Sequence, residues 1–219
     1  MQLVDLSHSI ESGMVTYKGL PAPLVCDYLS REASRAFYAT GTEFHIGRID
    51  MVGNTGTYLD TPFHRYAGRM DLAQLPLASL AQLPCLVAHR VDPAGRAIDD
   101  LPFSAEEIRG KAVLVHTGWS RHWRTDSYFE GFPYLSGRLA AWLRDAGATL
   151  VGIDSHNIDG TDTGERPVHS TLLAADIPIV EHLCGLDRVP ERGAQFSAVP
   201  AKVVGLGTFP VRAYAALAD

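Results

Sequence analysis

The segment SGRLAAWLRDAGATLVGID, residues 136–154, predicts a helix that leads directly into a buried strand. Ser136 is a suitable helix N-cap because its hydroxyl can accept a hydrogen bond from the first turn. Gly147 suits the left-handed position that ends many helices. Between them, Leu139 and Leu143 fall on one helical face, and the apolar run after Gly147 predicts the strand. This helix–strand unit predicts an α/β fold.

Other short apolar runs, bounded by Gly or Pro, predict further buried strands. They lie at residues 85–92, 112–118, 177–183 and 201–216, the last of them broken at Gly205–Gly207. A second, short helix is predicted to begin near Ser104, because two glutamates follow in its first turn, where the helix dipole favours negative charge. The sequence shows no linker, internal repeat or glycine-rich nucleotide motif. We therefore predict one β-rich α/β domain with few helices, spanning residues 1–219.

The composition excludes several classes of protein. The chain has 219 residues, of which 46% are hydrophobic and 20% charged, which is typical of a folded domain. Its net charge is −6 without a cluster of Lys or Arg, so we expect no nucleic-acid partner. The apolar runs are too short for a membrane span. The N-terminus lacks the basic region of a signal peptide, and the three cysteines form no C-x-x-C motif, which predicts a cytoplasmic protein with reduced thiols.

The stretch NTGTYLDTPFHR, residues 54–65, carries the first candidate chemical group. Asp60 and His64 are four residues apart, and if the proline between them opens a helical turn, both side chains face the same way. A second pair, His169 and Glu181, lies far downstream. Glu181 ends an apolar run, where a carboxylate is costly unless it is paired or ligated.

Two carboxylates and two imidazoles are a suitable ligand set for Zn²⁺ or Mn²⁺. Such an ion would offset the burial of the acids and lower the pKa of a bound water to about 7. The residues alone leave an alternative open, in which Asp60 belongs to a salt-bridged loop and Glu181 pairs with His169 as a buried ion pair.

Three further residues are candidates for substrate binding. Arg166 lies in a turn-rich loop before His169 and would bind a substrate carboxylate through two hydrogen bonds. His156 follows a predicted strand, at the end where ligands often bind. Trp119 lies in the crowded segment GWSRHW and would form an aromatic wall of a pocket, or simply pack a loop.

Residues 54–64, N-T-G-T-Y-L-D-T-P-F-H, resemble the motif H-x-G-T-H-x-D-x-P-x-H of the cyclase family, which includes bacterial kynurenine formamidase, isatin hydrolase and a zinc-dependent dienelactone hydrolase. The segments LVDLSHSIESGMVTYKGLP, VLVHTGWSRHW, LVGIDSHNID and HSTLLAADIPIVEHL are also similar to this family. The resemblance implies a swivelling β/β/α fold, a homodimer or homotetramer with active sites near subunit interfaces, and hydrolysis of amide or lactone bonds with one or two divalent metals. It also implies metal or catalytic roles for Asp60, His64, His169 and Glu181.

Two positions depart from the family motif. Asn54 and Tyr58 stand where family members have histidines, which usually form the principal metal site together with the aspartate. Asn54 offers only a neutral amide oxygen, and Tyr58 is a poor ligand at pH 7 because the pKa of a phenol is near 10. We therefore expect the usual site to be lost and the chain to be a divergent member of the family.

Two mechanisms stay open. In the first, one divalent cation, Zn²⁺ or Mn²⁺, lies among the two acids and two histidines and activates water against a small cyclic or acylated substrate. In the second, no metal is bound, Asp60 orients His64 as a general acid–base, and Tyr58 and Asn54 donate hydrogen bonds to an oxyanion or enolate. The metal-free site of the second mechanism would also suit a cyclase, lyase or isomerase. We favour the first, a metal-dependent hydrolase; a non-catalytic protein that binds a small molecule is the remaining alternative.

Overall fold

The computed structural model describes residues 1–218 and shows a strand-rich α/β protein built on one large sheet. Its strands are Gln2–Asp5 (β1), Leu24–Leu29 (β2), Ile46–Asp50 (β3), Tyr58–Asp60 (β4), Leu83–His89 (β5), Ala97–Ile98 (β6), Ala112–His116 (β7), Tyr134–Leu135 (β8), Leu150–Ile153 (β9), Ile179–Glu181 (β10), Ala194–Ser197 (β11), Thr208–Pro210 (β12) and Tyr214–Leu217 (β13). Over the same residues, the α-helices are Arg31–Ser34 (α1), Pro62–Arg65 (α2), Ala105–Ile108 (α3), Gly137–Ala146 (α4) and Pro167–Ala174 (α5).

The large sheet is curled and has nine strands in the order β1-β13-β11-β5-β7-β9-β10-β4-β12. The four central strands, β5, β7, β9 and β10, are parallel to one another, and antiparallel strands extend the sheet on both sides. Strands β2 and β3 form a separate two-stranded ribbon. This architecture confirms the predicted β-rich α/β fold with few helices.

The central strands are buried on both faces, because each face packs on a different layer. Along β7, Val113 and Val115 point to the layer of helices that includes Leu143 of α4. The alternate residue Leu114 points to the other face, where it shares a core with Phe196 of β11. The sheet therefore separates two hydrophobic cores, one under the helices and one inside the curl of the strands.

The predicted helix–strand unit is present with its predicted caps. The Ser136 hydroxyl accepts a hydrogen bond from the backbone N–H of Leu139, at 3.2 Å, and Gly147 ends α4 with a φ of 82°. Ser104 caps α3 through a reciprocal pair of hydrogen bonds with Glu107. These local signals set the direction of both helices, and each leads into a strand of the sheet.

The predicted strand over residues 201–216 is wrong in its first half. Strand β12 begins only at Thr208, after the loop that contains Gly205, which has a φ of 75°. Glycine is the residue that adopts this left-handed region without strain, so the break there is local. Among residues 1–218, no helix combines the length and apolar character that crossing a membrane requires.

Candidate active site

Strand β4 and helix α2 bring Asp60 and His64 together. Asp60 ends β4, and Pro62 is the first residue of α2, where its missing N–H costs nothing. One turn later, the His64 Nδ1 lies 3.7 Å from the Asp60 Oδ1. The helical turn predicted after Asp60 is thus present.

Helix α5 and strand β10 bring in the second pair. Strand β10 runs antiparallel to β4, with Ile179 opposite Asp60. The His169 Nε2 lies 3.6 Å from the Asp60 Oδ2 and 3.7 Å from the Glu181 Oε1. The two pairs, which lie far apart in the sequence, therefore converge on one place. Asp60, His64 and His169 each offer one ligand atom within 4.8 Å of the others.

Asp60 is fully buried, and its two oxygens differ in their partners. The Thr208 hydroxyl donates to Oδ1, whereas Oδ2 has no hydrogen-bond partner. Burial works to raise the pKa of Asp60, but the nearby His64 and His169 rings and the Thr208 hydroxyl outweigh it and lower the pKa below its ordinary value. A buried carboxylate oxygen that is ionised and unpartnered is costly, unless a cation binds there.

Asp159 holds His169 in position. Its Oδ2 lies 2.7 Å from the His169 Nδ1, and its two oxygens also accept the backbone N–H groups of Val168 and His169. The Nε2 of His169 is therefore directed at Asp60. Burial works to lower the pKa of His169, but the hydrogen bond with Asp159 and the negative charges of Glu181 and Asp60 outweigh it and raise the pKa to about 10. A carboxylate behind a histidine is the usual support of a metal ligand.

Thr208 connects Asp60 to His64. Because the lowered pKa keeps Asp60 ionised, the Thr208 hydroxyl must donate its one proton to the Asp60 Oδ1. The Thr208 Oγ1 also lies 2.8 Å from the His64 Nδ1, so this ring nitrogen carries a proton and donates to Thr208. The Nε2 is then the free nitrogen of His64. Neighbouring Gly207 permits this approach, because a Cβ there would lie 2.6 Å from the His64 backbone.

The opposite side of the site is a network of neutral groups. The Tyr58 hydroxyl donates to the Glu181 Oε2 at 2.5 Å and lies 3.0 Å from the Tyr17 hydroxyl. The Asn157 amide donates to Tyr17 at 2.9 Å, and the backbone N–H of Ile158 donates to the Glu181 Oε1 at 2.6 Å. Burial and the charge of Glu181 raise the pKa of Tyr58 well above 10, so its hydroxyl stays protonated. Burial, with a contribution from Asp60, also raises the pKa of Glu181.

The site lies in a cavity of about 290 Å³. We call the side formed by Asp60, His64 and His169 the cation wall, and the side formed by Tyr17, Tyr58 and Asn157 the tyrosine wall; Glu181 lies between them. The cavity is lined by Tyr17, Leu20, Asn54, Tyr58, His64, Arg65, Asn157, Arg166, His169 and Glu181. The predicted residues Asn54 and Arg166 are thus beside the catalytic candidates.

The other two predicted substrate contacts lie elsewhere. The indole N–H of Trp119 donates to the backbone carbonyl of Tyr128 at 3.0 Å, and neither Trp119 nor His156 lines the cavity. The His156 carbonyl accepts a hydrogen bond from Tyr17 at 2.9 Å, while its ring packs among aromatic side chains. His156 therefore supports the tyrosine wall from behind, and a direct role of either residue in substrate binding stays a prediction that this geometry does not support.

The sequence interpretation missed Thr208 and Asp159. Asp159 falls in the quoted segment LVGIDSHNID, ten residues before His169. A spacing of ten residues matches no helix or strand repeat that would predict contact between the two side chains. Thr208 follows the Gly205–Gly207 break, which was interpreted only as an interruption of a strand. A glycine pair before a threonine does indicate close backbone approach, but not the residue approached.

The sequence profile of the family described as putative cyclase matches residues 4–160 of the chain. The chain belongs to the cyclase family. The kynurenine formamidase of Geobacillus thermodenitrificans (strain NG80-2) is 32% identical over 171 residues, which cover 77% of this chain and 78% of that protein. The likeness therefore extends over most of both sequences, and it confirms the resemblance found in the sequence.

Solved structures show the same fold. A protein described as a predicted metal-dependent hydrolase from Bacillus stearothermophilus is 27% identical, with a TM-score of 0.74, covering 98% of this chain and 97% of that one. Isatin hydrolase A from Labrenzia aggregata is 18% identical, with a TM-score of 0.83 over 100% of this chain and 94% of its own, and shows the fold alone. These relatives confirm the prediction of a hydrolytic enzyme within the family. The roles of individual residues stay predictions.

Proposed function

We propose that this cyclase-family chain hydrolyses the amide or lactone bond of a small cyclic or acylated molecule, with one divalent cation at the cation wall. The observation that carries the proposal is the buried Oδ2 of Asp60, which is ionised, lacks a hydrogen bond and lies 3.6 Å from the His169 Nε2. The names of the relatives, kynurenine formamidase and metal-dependent hydrolase, favour an amide as the bond that is cleaved.

The donor set fits a cation. The His169 Nε2 lies 3.6 Å from the Asp60 Oδ2 and 3.7 Å from the Glu181 Oε1, and each of these three atoms has an electron pair available once His169 loses its proton. Carboxylate oxygens with an imidazole nitrogen suit Zn²⁺ or Mn²⁺, which stay the proposed ions. When bound, the cation would act as a Lewis acid that polarises the substrate carbonyl and makes water a better nucleophile at neutral pH.

His64 is the proposed acid–base group. Its Nδ1 is occupied by Thr208, so its Nε2 faces the cavity and can carry a proton from the attacking water to the leaving nitrogen or oxygen. Tyr58 is held by Glu181, which leaves Asn54 as the predicted donor to the developing oxyanion. This assignment makes His64 a proton carrier and not a metal ligand.

Replacing His64 by Ala tests this assignment. We expect His64→Ala to lose activity by about 100-fold or more while retaining its bound metal, because the ligand atoms are elsewhere. Metal analysis of the purified variant and turnover of N-formylkynurenine, isatin and small lactones would check both parts. Loss of the metal would make His64 a ligand, and normal turnover would remove it from the mechanism.

The metal-free mechanism is the second candidate, and chelation separates the two. We expect a chelator to abolish turnover and re-addition of Zn²⁺ or Mn²⁺ to restore it. Unchanged turnover after complete removal of the metal would favour the Asp60–His64 pair acting alone as acid–base. Binding of these compounds without any turnover would instead favour a non-catalytic binding protein.

We further propose a homodimer or homotetramer that uses the β2–β3 ribbon as its interface. Large apolar side chains are exposed on this arm and in the segment between its strands: Leu24, Val25, Tyr28, Phe37, Tyr38, Phe44, Ile46 and Ile49. An isolated two-stranded ribbon is barely stable in water, and contiguous exposed apolar surface is typical of an interface. Light scattering would test this, with Ile49→Glu expected to shift the chain toward the monomer.

The cytoplasm is the proposed location, and the thiols support it. Within residues 1–218, Cys26, Cys85 and Cys184 form no disulfide. Burial raises the pKa of Cys85 to about 12 and that of Cys184 to about 11, so neither is a reactive nucleophile. One domain over residues 1–219 and the lack of nucleic-acid and membrane partners also stay predictions.

A further inference from the structure

Two arginines at the cavity differ from most others in the chain. The protein has a net charge of −6, and most of its exposed arginines lie within ion-pair distance of an Asp or Glu, as Arg69 does with Asp176. Arg65 and Arg166 have no such carboxylate partner among residues 1–218, and both line the candidate active site. An acidic protein thus directs two uncompensated guanidinium groups at one cavity.

Arg166 is held in place by its own loop. Its Nη1 donates to the backbone carbonyls of Gly160, Thr163 and Glu165, at 3.3, 2.8 and 2.6 Å. These contacts fix the position of the guanidinium without neutralising its charge, because the acceptors are carbonyls. The remaining N–H groups of the fork are left for a ligand.

Arg65 lies on the facing helix, directly after His64. Its guanidinium lies 5.3 Å from the centre of the Tyr66 ring, and its Nε is 3.4 Å from the Ser170 hydroxyl. The ring and the hydroxyl orient the side chain between α2 and α5, again without an opposing charge. Arg65 is therefore adjacent to the group proposed to deliver the proton, and Arg166 lines the same cavity.

We propose that Arg65 and Arg166 form a subsite for a carboxylate, so that the preferred substrates are amides carrying a carboxylate close to the scissile bond. The inference rests on the proposed amide hydrolysis and specifies its substrate class. A planar carboxylate matches the guanidinium fork through paired, charge-assisted hydrogen bonds. The cavity of about 290 Å³ has room for a ring-sized molecule with such a group.

Two substrates with the same reacting bond test the subsite: N-formylanthranilate, which carries a carboxylate beside the formamide, and formanilide, which lacks it. We expect the metal-loaded enzyme to prefer N-formylanthranilate in kcat/KM. Arg65→Gln should lower that value by roughly 10- to 100-fold, the amount expected for a lost charge-assisted hydrogen bond. Hydrolysis of formanilide should change less than about twofold.

Arg166→Lys keeps the positive charge but loses the paired N–H donors of the guanidinium. It should lower kcat/KM for N-formylanthranilate by a smaller factor than Arg65→Gln does. Arg69→Gln is the matched control, since Arg69 is also exposed, pairs with Asp176 and does not line the cavity. It should leave both substrates unaffected. An equal loss on both substrates in Arg65→Gln, or no preference in the wild type, would overturn the carboxylate subsite.

A direct binding measurement separates this inference from the proposed function. Calorimetric titration with anthranilate and with aniline needs no turnover, and metal content is measured in each sample. If the protein hydrolyses neither substrate but binds anthranilate in a manner that Arg65→Gln weakens about tenfold, the subsite stands and the hydrolysis fails. If anthranilate binds no better than aniline, or equally to the variant, the subsite fails whatever the activity.

Discussion

Two histidines on opposite sides of the cavity have chemically different neighbours. His169, on the cation wall, lies against carboxylates, which overcome its burial and raise its pKa to about 10. His156, behind the tyrosine wall, is also buried, but its ring packs on aromatic side chains such as Phe132, and burial lowers its pKa to about 4. The pKa of the same residue type is thus shifted in opposite directions by its neighbours.

The difference indicates how many cations the site holds. On the cation wall, Asp60 keeps a buried oxygen without a partner, and His169 points a nitrogen at it. On the tyrosine wall, Tyr58 donates to Glu181 and is too strongly held in its neutral form to ligate. The proposed single cation would therefore lie at the first wall and none at the second, where the resemblance to the family motif leads us to expect two histidines.

The largest expected effect is the loss of the cation by Asp60→Asn. The amide keeps the shape of the side chain but removes its charge, and a Lewis acid contributes several kcal/mol to such a reaction, so kcat should fall on the order of 1,000-fold. Metal analysis should show little bound ion. Asp154→Asn is the control, because Asp154 is equally buried but bonds Thr117 and Gly118 instead. Equal metal content in Asp60→Asn and wild type would contradict the cation wall.

The next largest effect is expected from removing the Thr208 hydroxyl, which bonds both Asp60 and His64. Thr208→Val removes the hydroxyl that joins Asp60 to His64, and the loss of such a support should lower kcat by about 10- to 100-fold with little change in KM. Thr208→Ser keeps the hydroxyl and should restore most of the rate. Nitrogen NMR shifts of the His64 ring would report the tautomer. An unaltered tautomer in Thr208→Val would mean that Thr208 only packs the site.

The sequence predicted the local elements better than their long-range partners. Ser136 and Gly147 mark the ends of α4 because caps act within one turn. The pairing of Asp60 with Ile179 could not be predicted by any periodicity, since strand register is set by the whole sheet. Family resemblance supplied the convergence of Asp60 with His169 that spacing alone left open.

The same limit explains the site residues that were missed and those that the structure places away from the cavity. Thr208 reaches Asp60 only because β12 pairs with β4, with Thr208 opposite Asp60. His156 follows a strand as expected, but its ring turns toward the aromatic cluster, and a residue's position at a strand end does not fix which way its side chain points. Arg166, which lies just before α5, does line the cavity, and its role in substrate binding stays a prediction.

A pH titration of stability tests the tyrosine wall. An unfolded histidine has a pKa near 6.5, and His156 in the folded protein has one of about 4, so its contribution is complete above pH 6.5 and is lost as the pH falls toward 4. Between pH 7 and 5, wild type should lose about 2 kcal/mol of unfolding free energy relative to His156→Gln. Urea unfolding at each pH would measure this. Parallel curves for the two proteins would show that His156 is not buried in its neutral form.

The smallest effect is expected from converting the tyrosine wall into a second cation wall. Asn54→His with Tyr58→His restores the two family histidines beside Asp60, and it also frees the Glu181 oxygen that Tyr58 occupies. Bound metal should roughly double, because two imidazoles and a carboxylate suffice for Zn²⁺. Metal content and not rate is the readout, because Asn54→His also removes the proposed donor to the oxyanion. Tyr58→Phe is the matched control: it also frees Glu181 but adds no donor, so its metal content should stay that of wild type. Additional bound metal in Tyr58→Phe would show that the Tyr58 hydroxyl alone excludes a second ion. No additional metal in the double variant would show that Tyr17 and Asn157 keep a second ion out.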